Sequence, residues 1–314
     1  MDRNLALEAV RVTEAAALAA ARHLGRGDER AADEAAARAM HEALNALGID
    51  GTVVIGEGES VPVLHIGDKV GGGKGPRIDI ALDPLEGATI AAKGGYNALS
   101  VIAVAQVGGL MAVPEVYMDK IAVGGGLPAG VVDLDETPEA NIKNLAKAKG
   151  VEVEDLLVCT LDRPRHEELI WRVREAGARM MLISDGDTSG CIATCMPSGI
   201  DRYMGIGDAP EGVLAAAALR CVGGQMQGRL LFRNEDDKAR GRRCGITDFS
   251  RRYEIADLAR GEVMFAATGV TTGALLQGIR RVPGGAVSHS LVLRSSSGTM
   301  RFIESHHNFV RSGK

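Results

Sequence analysis

The chain of 314 residues is poor in aromatic residues, which make up only 3% of it. Proteins that bind single-stranded nucleic acids stack bases on such rings, and proteins that bind duplexes carry basic clusters. The net charge here is −5, and no comparable basic cluster occurs along the sequence. Composition therefore argues against nucleic acid as a partner.

The five cysteines are an odd number, and no two of them form a CxxC pair. This pattern opposes a disulfide framework. Long apolar runs are also missing. The first 25 residues are amphipathic and carry internal charges, which is typical neither of a signal peptide nor of a membrane span. We therefore expect a cytoplasmic protein without a membrane partner.

The pattern of predicted elements changes near the middle of the chain. Two amphipathic helices and then a run of strands predict an α+β layer in the first half. From about residue 155, the stretches LLVCTL, HEELIWRVREAG and RMMLIS predict a βαβ unit with a parallel pair of strands. The sequence thus predicts an α/β protein with two domains, residues 1–154 and 155–314.

Acidic residues recur where predicted strands and helices begin or end. IDIALDPLEGAT reads as an apolar strand that ends in a proline turn, with Asp83 and Glu86 on either side of it. Asp33 begins a helical stripe, Glu57 follows the strand TVVIG, and Glu211 lies in the first turn of a helix. One such acid is most often a turn residue, but several at the ends of apolar strands need compensation. Because oxygen-only ligands suit hard cations, we predict a Mg²⁺ or Mn²⁺ site.

A second group of polar residues follows the strands of the C-terminal half. Arg163 and Arg165 lie between a strand and a helix, where ligands of α/β units bind, and guanidinium groups match phosphate oxygens. Asp185 and Asp187 end the next strand and could accept hydrogen bonds from sugar hydroxyls, although most DGD sequences are plain turns. Weaker candidates are Tyr117 and Lys120.

Eight motifs occur in one order along the chain: GRGDERAADEAA, VVIGEGE, DPLEGAT, VYMDKIAVG, DRPRH, SDGDTSG, APEGVLAAAALRCVGGQMQG and FAATGVTTG. Together they resemble the class II fructose-1,6-bisphosphatases nearly end to end. DPLEG alone is typical of the wider superfamily of metal-dependent sugar and inositol phosphatases. The resemblance implies the layered αβαβα sugar-phosphatase fold and hydrolysis of the 1-phosphate of fructose 1,6-bisphosphate in gluconeogenesis. It also implies Mg²⁺ or Mn²⁺ as cofactor and a homodimer or homotetramer.

Residue by residue, the resemblance also implies a site. The metal ligands would be Asp33, Glu57, Asp83, Glu86 and Glu211. The substrate contacts would be Gly87, Tyr117, Arg163, Arg165, Asp185, Asp187 and Asp208, with Lys120 as a weaker candidate. The catalytic set would be Glu57, Glu86, Thr89 and the residue at position 88. The first domain would therefore carry most metal ligands, and the second would carry one metal ligand and most substrate contacts.

Four features depart from the pattern of this family, and two of them are Glu29 in place of the usual Lys and a shortened GEGESVPVL loop. The family has Thr directly after the glycine of DPLEG, where this chain has Ala88 and only then Thr89. The family's GIGGAPEG reads GIGDAPEG here, so Asp208 replaces a glycine. Since that Thr hydroxyl is implied to orient the attacking water, we expect impaired turnover. The open alternatives are a dual fructose/sedoheptulose bisphosphatase, another sugar-phosphate phosphatase, and a catalytically crippled protein that binds metal and sugar phosphate.

Overall fold

The computed structural model describes residues 4–58 and 60–312. The chain divides into two compact units, unit 1 with Met1–Leu110 and Gly261–Lys314, and unit 2 with Met111–Arg260. The chain thus leaves unit 1 and returns to it, whereas the predicted boundary between residues 154 and 155 falls inside unit 2. The physical reason is strand pairing, because strands near the C-terminus complete the sheet of the N-terminal half.

Unit 1 contains an eight-stranded mixed sheet. Its helices are α1 (Leu5–Ala20), α2 (Glu29–Asn45), α3 (Ala88–Lys93) and α10 (Phe309–Ser312). Its strands are β1 (Asp50–Ile55), β2 (Lys69–Val70), β3 (Arg77–Glu86), β4 (Leu99–Gln106), β11 (Val263–Gly269), β12 (Arg280–Val282), β13 (Gly285–Arg294) and β14 (Thr299–Asn308). The strand order is β12-β13-β11-β4-β3-β1-β2, and β14 also pairs with β13.

Unit 2 contains a six-stranded mixed sheet in the order β10-β9-β5-β8-β6-β7. Its strands are β5 (Tyr117–Val123), β6 (Leu157–Leu161), β7 (Arg179–Ile183), β8 (Arg202–Asp208), β9 (Gln225–Leu231) and β10 (Arg252–Glu254). Its helices are α4 (Pro138–Lys149), α5 (Glu167–Glu175), α6 (Asp187–Ala193), α7 (Ala209–Val222), α8 (Glu235–Arg243) and α9 (Ile255–Leu258). The parallel pairing of β6 with β7 around α5 confirms the predicted βαβ unit, and the two mixed sheets confirm the α/β class.

Helix α1 shows why these segments fold as predicted. The members of its apolar stripe, Leu5, Ala9, Val12 and Ala16, are all buried. Their spacing of three and four residues places them on one face, which lies against β11 and β13. None of the described helices has the length and the apolar character needed to cross a membrane.

A short chain of buried hydroxyl groups joins α1 to the sheet. Thr13 Oγ1 lies 2.7 Å from Thr268 Oγ1 of β11, which lies 2.8 Å from Ser290 Oγ of β13. All three side chains are buried. Hydroxyl groups without water need such partners, because an unsatisfied buried polar group is costly. The chain therefore fixes how α1 is placed on the sheet.

We expect Thr268→Val to lower the free energy of unfolding by about 1–3 kcal/mol, because it takes this partner from the buried Ser290 hydroxyl, while the Thr13 hydroxyl still donates to the Val10 carbonyl. Thr52→Val is the matched control in the same sheet, where the hydroxyl accepts from the exposed Lys69 ammonium. Urea unfolding of both variants measures the difference. Equal stability of the two variants would contradict a structural role for the hydroxyl chain.

Candidate active site

Two predicted metal ligands of unit 1 follow neighbouring parallel strands. β1 and β3 run parallel, with Ile55 opposite Ala81, so both strands end at the same edge of the sheet. Glu57 comes just after β1, where its N–H donates to the carbonyl of Leu64 over 2.9 Å. Asp83 lies near the end of β3. The topology thus brings these two acids to one edge of the sheet.

The segment that contains Asp83 and Glu86 is not a proline turn, so that prediction was wrong. β3 continues through Glu86, with Asp83 opposite Val101 and Glu86 opposite Leu99 of β4. Three residue steps in β3 therefore match two in β4, which is a β-bulge. In a regular strand, residues three apart face opposite sides of the sheet. The bulge sets both acids opposite residues of β4 that share a face, and it accommodates a proline without breaking the strand.

Gly87 forms the junction between β3 and α3. Its φ of 89° lies in the left-handed region, and an added Cβ would approach Ile90 Cδ1 to 3.2 Å. Glycine is therefore the residue that this position favours. Ala88 and Thr89 are the first two residues of α3. Successive helical side chains point roughly 100° apart, so the Thr89 hydroxyl does not occupy the direction of a hydroxyl at position 88.

Asp33 is a half-buried acid on α2. Burial, and then the neighbouring Glu34 carboxylate, raise the pKa of Asp33 to about 6. Among the described residues, no Lys or Arg forms an ion pair with it. The loop before α2 is tied to α3, because the Gly25 and Gly27 N–H groups donate to the carbonyls of Ala91 and Ala92 over 2.9 Å. A half-buried carboxylate with a raised pKa fits a cation ligand.

The predicted ligands of unit 1 therefore lie on α2, after β1 and at the end of β3. Within the described part of unit 1, no three His, Cys, Asp or Glu side chains bring ligand atoms within 4.8 Å of one another. All the donors are carboxylate oxygens, and Glu86 is only 1% exposed. This donor chemistry fits Mg²⁺ or Mn²⁺ and does not favour zinc, whose sites usually include nitrogen or sulfur.

Unit 2 buries a lysine beside two acids. Lys120 of β5 forms an ion pair with Asp187 at the start of α6 and donates to the carbonyl of Asp208 over 2.9 Å. Carboxylate oxygens of Asp187 and Glu211 lie within 4.8 Å of each other. Burial acts to lower the pKa of Lys120, but the Asp187 and Glu211 carboxylates outweigh it and raise that pKa. The lysine thus remains charged and holds the start of α6 against the end of β8.

Asp187 and Lys120 were both predicted to contact substrate, and the structure places both in the interior of unit 2. Each is 1% exposed. Burial acts to raise the pKa of Asp187, but the Lys120 ammonium outweighs it and lowers that pKa. The two side chains therefore neutralise each other's charge.

The two predicted arginines do lie at the end of β6, as expected. Arg165 is exposed, and its Nε and Nη2 donate to the carbonyl of Ile206 over 3.0 and 2.9 Å. Its guanidinium carbon lies 4.9 Å from the centre of the Tyr117 ring. Arg163 Nη2 lies 3.8 Å from Asp185 Oδ1. Unit 2 therefore pairs Arg165 with Tyr117 and Arg163 with Asp185, all four of which were predicted to contact substrate.

Sequence reasoning missed Arg233 of this group and considered His166 only as a possible helix cap or phosphate contact. Arg233, just after β9, places its guanidinium carbon 5.1 Å from the centre of the Tyr117 ring. Its place directly after an apolar strand is the signal that could have revealed it. His166 is buried and accepts from the Ile206 N–H through Nε2 over 2.8 Å, while its Nδ1 lies 2.8 Å from the Leu161 carbonyl. These contacts assign the proton to Nδ1, and burial lowers the pKa of His166.

Asp208 ends β8 and occupies the N-cap position of α7. Its side chain reaches solvent, yet desolvation raises its pKa, which Lys120 opposes and Asp187 reinforces. Glu211 follows in the first turn of α7. Asp208 therefore adds a second carboxylate to the N-terminal end of α7, where the predicted metal ligand Glu211 also lies.

Comparison with known proteins identifies the family of this chain. A family model described as "Bacterial fructose-1,6-bisphosphatase, glpX-encoded" matches residues 3–307. Fructose-1,6-bisphosphatase 1 class 2 of Escherichia coli K12 is 44% identical over 99% of this chain and 97% of its own length. Proteins of Escherichia coli O6:H1 and Shigella flexneri, both named fructose-1,6-bisphosphatase class 2, show the same identity and coverage.

The α/β fold, the carboxylates at strand ends and these relatives define a phosphatase, a hydrolase of phosphoric monoesters. Within that class, the chain belongs to the glpX-encoded family of bacterial fructose-1,6-bisphosphatases, which is the class 2 family. The family predicted from the eight motifs is therefore confirmed.

We expect Lys120→Met to lower the free energy of unfolding by about 3–5 kcal/mol, because it leaves the buried Asp187 carboxylate without its cation. The matched control is Lys149→Met, which breaks a partly exposed pair with Asp201 and should cost at most about 1 kcal/mol. Denaturant unfolding provides the measurement.

The double variant Lys120→Met/Asp187→Asn should be more stable than the sum of its two single variants predicts, because the pair is coupled. Additive losses, or a loss for Lys120→Met no larger than for Lys149→Met, would contradict the buried pair.

Proposed function

We propose that this protein hydrolyses the 1-phosphate of fructose 1,6-bisphosphate to give fructose 6-phosphate and phosphate. The observation that carries the proposal is the family match over residues 3–307, which includes every acid and arginine described above. The relatives that are 44% identical are named fructose-1,6-bisphosphatases. We further propose a cytoplasmic location and a homodimer or homotetramer.

We propose that a divalent cation, Mg²⁺ or Mn²⁺, is the cofactor. The residues that would hold it are Asp33, Glu57, Asp83, Glu86 and Glu211. Such a cation acidifies a bound water and offsets negative charge on the leaving oxygen. Support comes from the oxygen-only donor set and from the raised pKa of Asp33, a carboxylate that gains when a cation is near.

Recognition of the sugar phosphate falls to side chains of unit 2 and to the backbone at Gly87. The proposed contacts are Gly87, Tyr117, Arg163, Arg165, Asp185 and Asp208, and Asp187 is proposed to position them. Arg165 keeps an exposed guanidinium close to Tyr117, a geometry that suits a phosphate oxygen above the ring edge. Because the Asp187 carboxylate is committed to Lys120, its part is to fix the start of α6 next to Asp185.

The proposed catalytic set is Glu57, Glu86, Thr89 and position 88, and Ala88 is its unusual member. A methyl group neither donates nor accepts a hydrogen bond, so Ala88 cannot orient an attacking water. This residue favours a second candidate function, in which the protein binds metal and sugar phosphate with little turnover. Ala88 is partly buried against the core of unit 1, which shows that the methyl group is accommodated by packing.

The proposed activity is tested by phosphate release from fructose 1,6-bisphosphate, sedoheptulose 1,7-bisphosphate, fructose 6-phosphate and an inositol monophosphate, each with Mg²⁺ or Mn²⁺. We expect fructose 1,6-bisphosphate to be the preferred substrate. Asp83→Asn should abolish release and weaken Mn²⁺ binding in titration calorimetry, because it removes a proposed ligand charge. Asp50→Asn, at the opposite end of the neighbouring β1, is the control.

Faster release from sedoheptulose 1,7-bisphosphate would assign the protein to the dual-specificity alternative. Unchanged Mn²⁺ affinity in Asp83→Asn would remove that residue from the cation site. Substrate and Mn²⁺ binding without release from any compound would favour the second candidate function.

We expect Ala88→Thr to raise kcat by about 10²- to 10³-fold with a smaller effect on KM, the pattern of an interaction made mainly in the transition state. Thr89→Ala in the same assay shows whether the neighbouring hydroxyl contributes. Brisk turnover by the unaltered protein, together with an unchanged kcat in Ala88→Thr, would show that the reaction here does not need a hydroxyl at position 88.

A further inference from the structure

The sheet of unit 1 has two very unequal edges. β2 is two residues long and begins with Lys69. β14 is ten residues long and pairs with β13 from Asn308 to Thr299 without a shift of register. β11 and β12 share the other side of β13, so in the described part of the chain β14 has β13 as its one neighbouring strand.

Natural sheet edges are guarded by short strands, lysines, prolines or bulges, because an open edge otherwise pairs with another chain. β2 is short and carries a lysine. β14, with the sequence TMRFIESHHN, contains no lysine, no proline and no bulge, and its charged residues are Arg301 on one face and Glu304 on the other. A long and regular edge with so few of these devices is a surface for strand addition.

β14 carries apolar side chains on both faces of the sheet. On one face, Met300 and Phe302 are 40% and 48% exposed. On the other face, Ile303 lies beside the exposed Leu7 of α1 in a groove of about 670 Å³. The groove follows β14 along the edge of the sheet, so burying the edge would also bury these side chains.

We propose that β14 pairs antiparallel with β14 of a second copy of this chain, across a twofold axis perpendicular to the sheet. An antiparallel strand edge is complementary to its own copy, because the outward N–H and C=O groups of one match those of the other. Rotation about this axis does not exchange the faces of the sheet. The α1 helices of the two copies therefore lie on the same face, where the groove beside Ile303 meets its equivalent.

The register of this pairing follows from parity and charge. Opposed residues must share a face, so the two residue numbers of each pair must have an even sum. Two registers then overlap almost the whole strand, one centred on Ile303 and one centred on Glu304. The second register sets like charges directly opposite each other, which is unfavourable. We therefore assign the register centred on Ile303, in which Phe302 of each copy faces Glu304 of the other.

Phe302→Asp and Phe302→Lys test the pairing at one position with opposite charges. Both remove the same ring, which in this chain stacks on His289 at 5.8 Å between ring centres, so they lose the same internal contact. In the assigned register, the twofold axis creates two equivalent pairs between residue 302 of one copy and Glu304 of the other. Asp at position 302 makes both pairs repulsive, whereas Lys makes both attractive. We expect the dissociation constant of Phe302→Asp to exceed that of Phe302→Lys by about tenfold or more.

Sedimentation equilibrium over a range of concentrations, without substrate, gives the mass of each variant against 32.9 kDa for one chain. We expect Phe302→Asp to show half the mass of Phe302→Lys, and Phe302→Asp/Glu304→Lys to regain the larger mass. A monomeric unaltered protein, or a full-sized Phe302→Asp, would overturn the proposal. Dissociation of both single variants alike would overturn the register. The inference rests on the homo-oligomer proposed above, but none of these outcomes depends on catalysis, so the proposed activity is tested separately.

Discussion

A lysine ammonium enclosed with carboxylates organises the centre of unit 2. Lys120 of β5 binds Asp187 of α6 and the Asp208 carbonyl of β8, and the Glu211 carboxylate of α7 adds to its field. A buried charge is tolerated only with its partners in place, so these four elements cannot shift independently. The positions of Asp185, Asp208 and Glu211, all proposed to act on cation or sugar, are consequences of that constraint.

Much of the fold was predictable because apolar periodicity reports burial directly. The stripe of α1 is buried as its spacing required, and β6, α5 and β7 form the predicted βαβ unit. The end of β3 was not predictable in the same way. Pro84 reads as a strand end, and only the pairing with β4 shows that a bulge absorbs it. Likewise, no local pattern predicts that β11 pairs with β4, because all of unit 2 separates the two strands in sequence.

The candidate site shows the same division between local and distant information. Acids and arginines at element ends were identifiable, since the ends of strands are where α/β proteins place polar groups that bind ligands. The partnership of Lys120 with Asp187 was not identifiable, because charge alone does not say whether a side chain faces solvent or another side chain. Arg233 was missed for a related reason: its contact with Tyr117 depends on β5 and β9 being neighbours. The expected effect of Ala88 on turnover was inferred from the family resemblance, whereas its position at the start of α3 is known only from the structure.

The discontinuity of unit 1 has a consequence for the order of events during synthesis. Unit 2 is one continuous segment, Met111–Arg260, so all its contacts are available as soon as that segment has left the ribosome. The sheet of unit 1 must wait, because the strand that covers the edge of β4 is β11, which is made only after unit 2. Until then β4 exposes an apolar strand edge of the kind that aggregates or recruits chaperones. A chain that ends before Gly261 would therefore contain a folded unit 2 attached to an incomplete sheet of unit 1, whose exposed β4 edge favours aggregation.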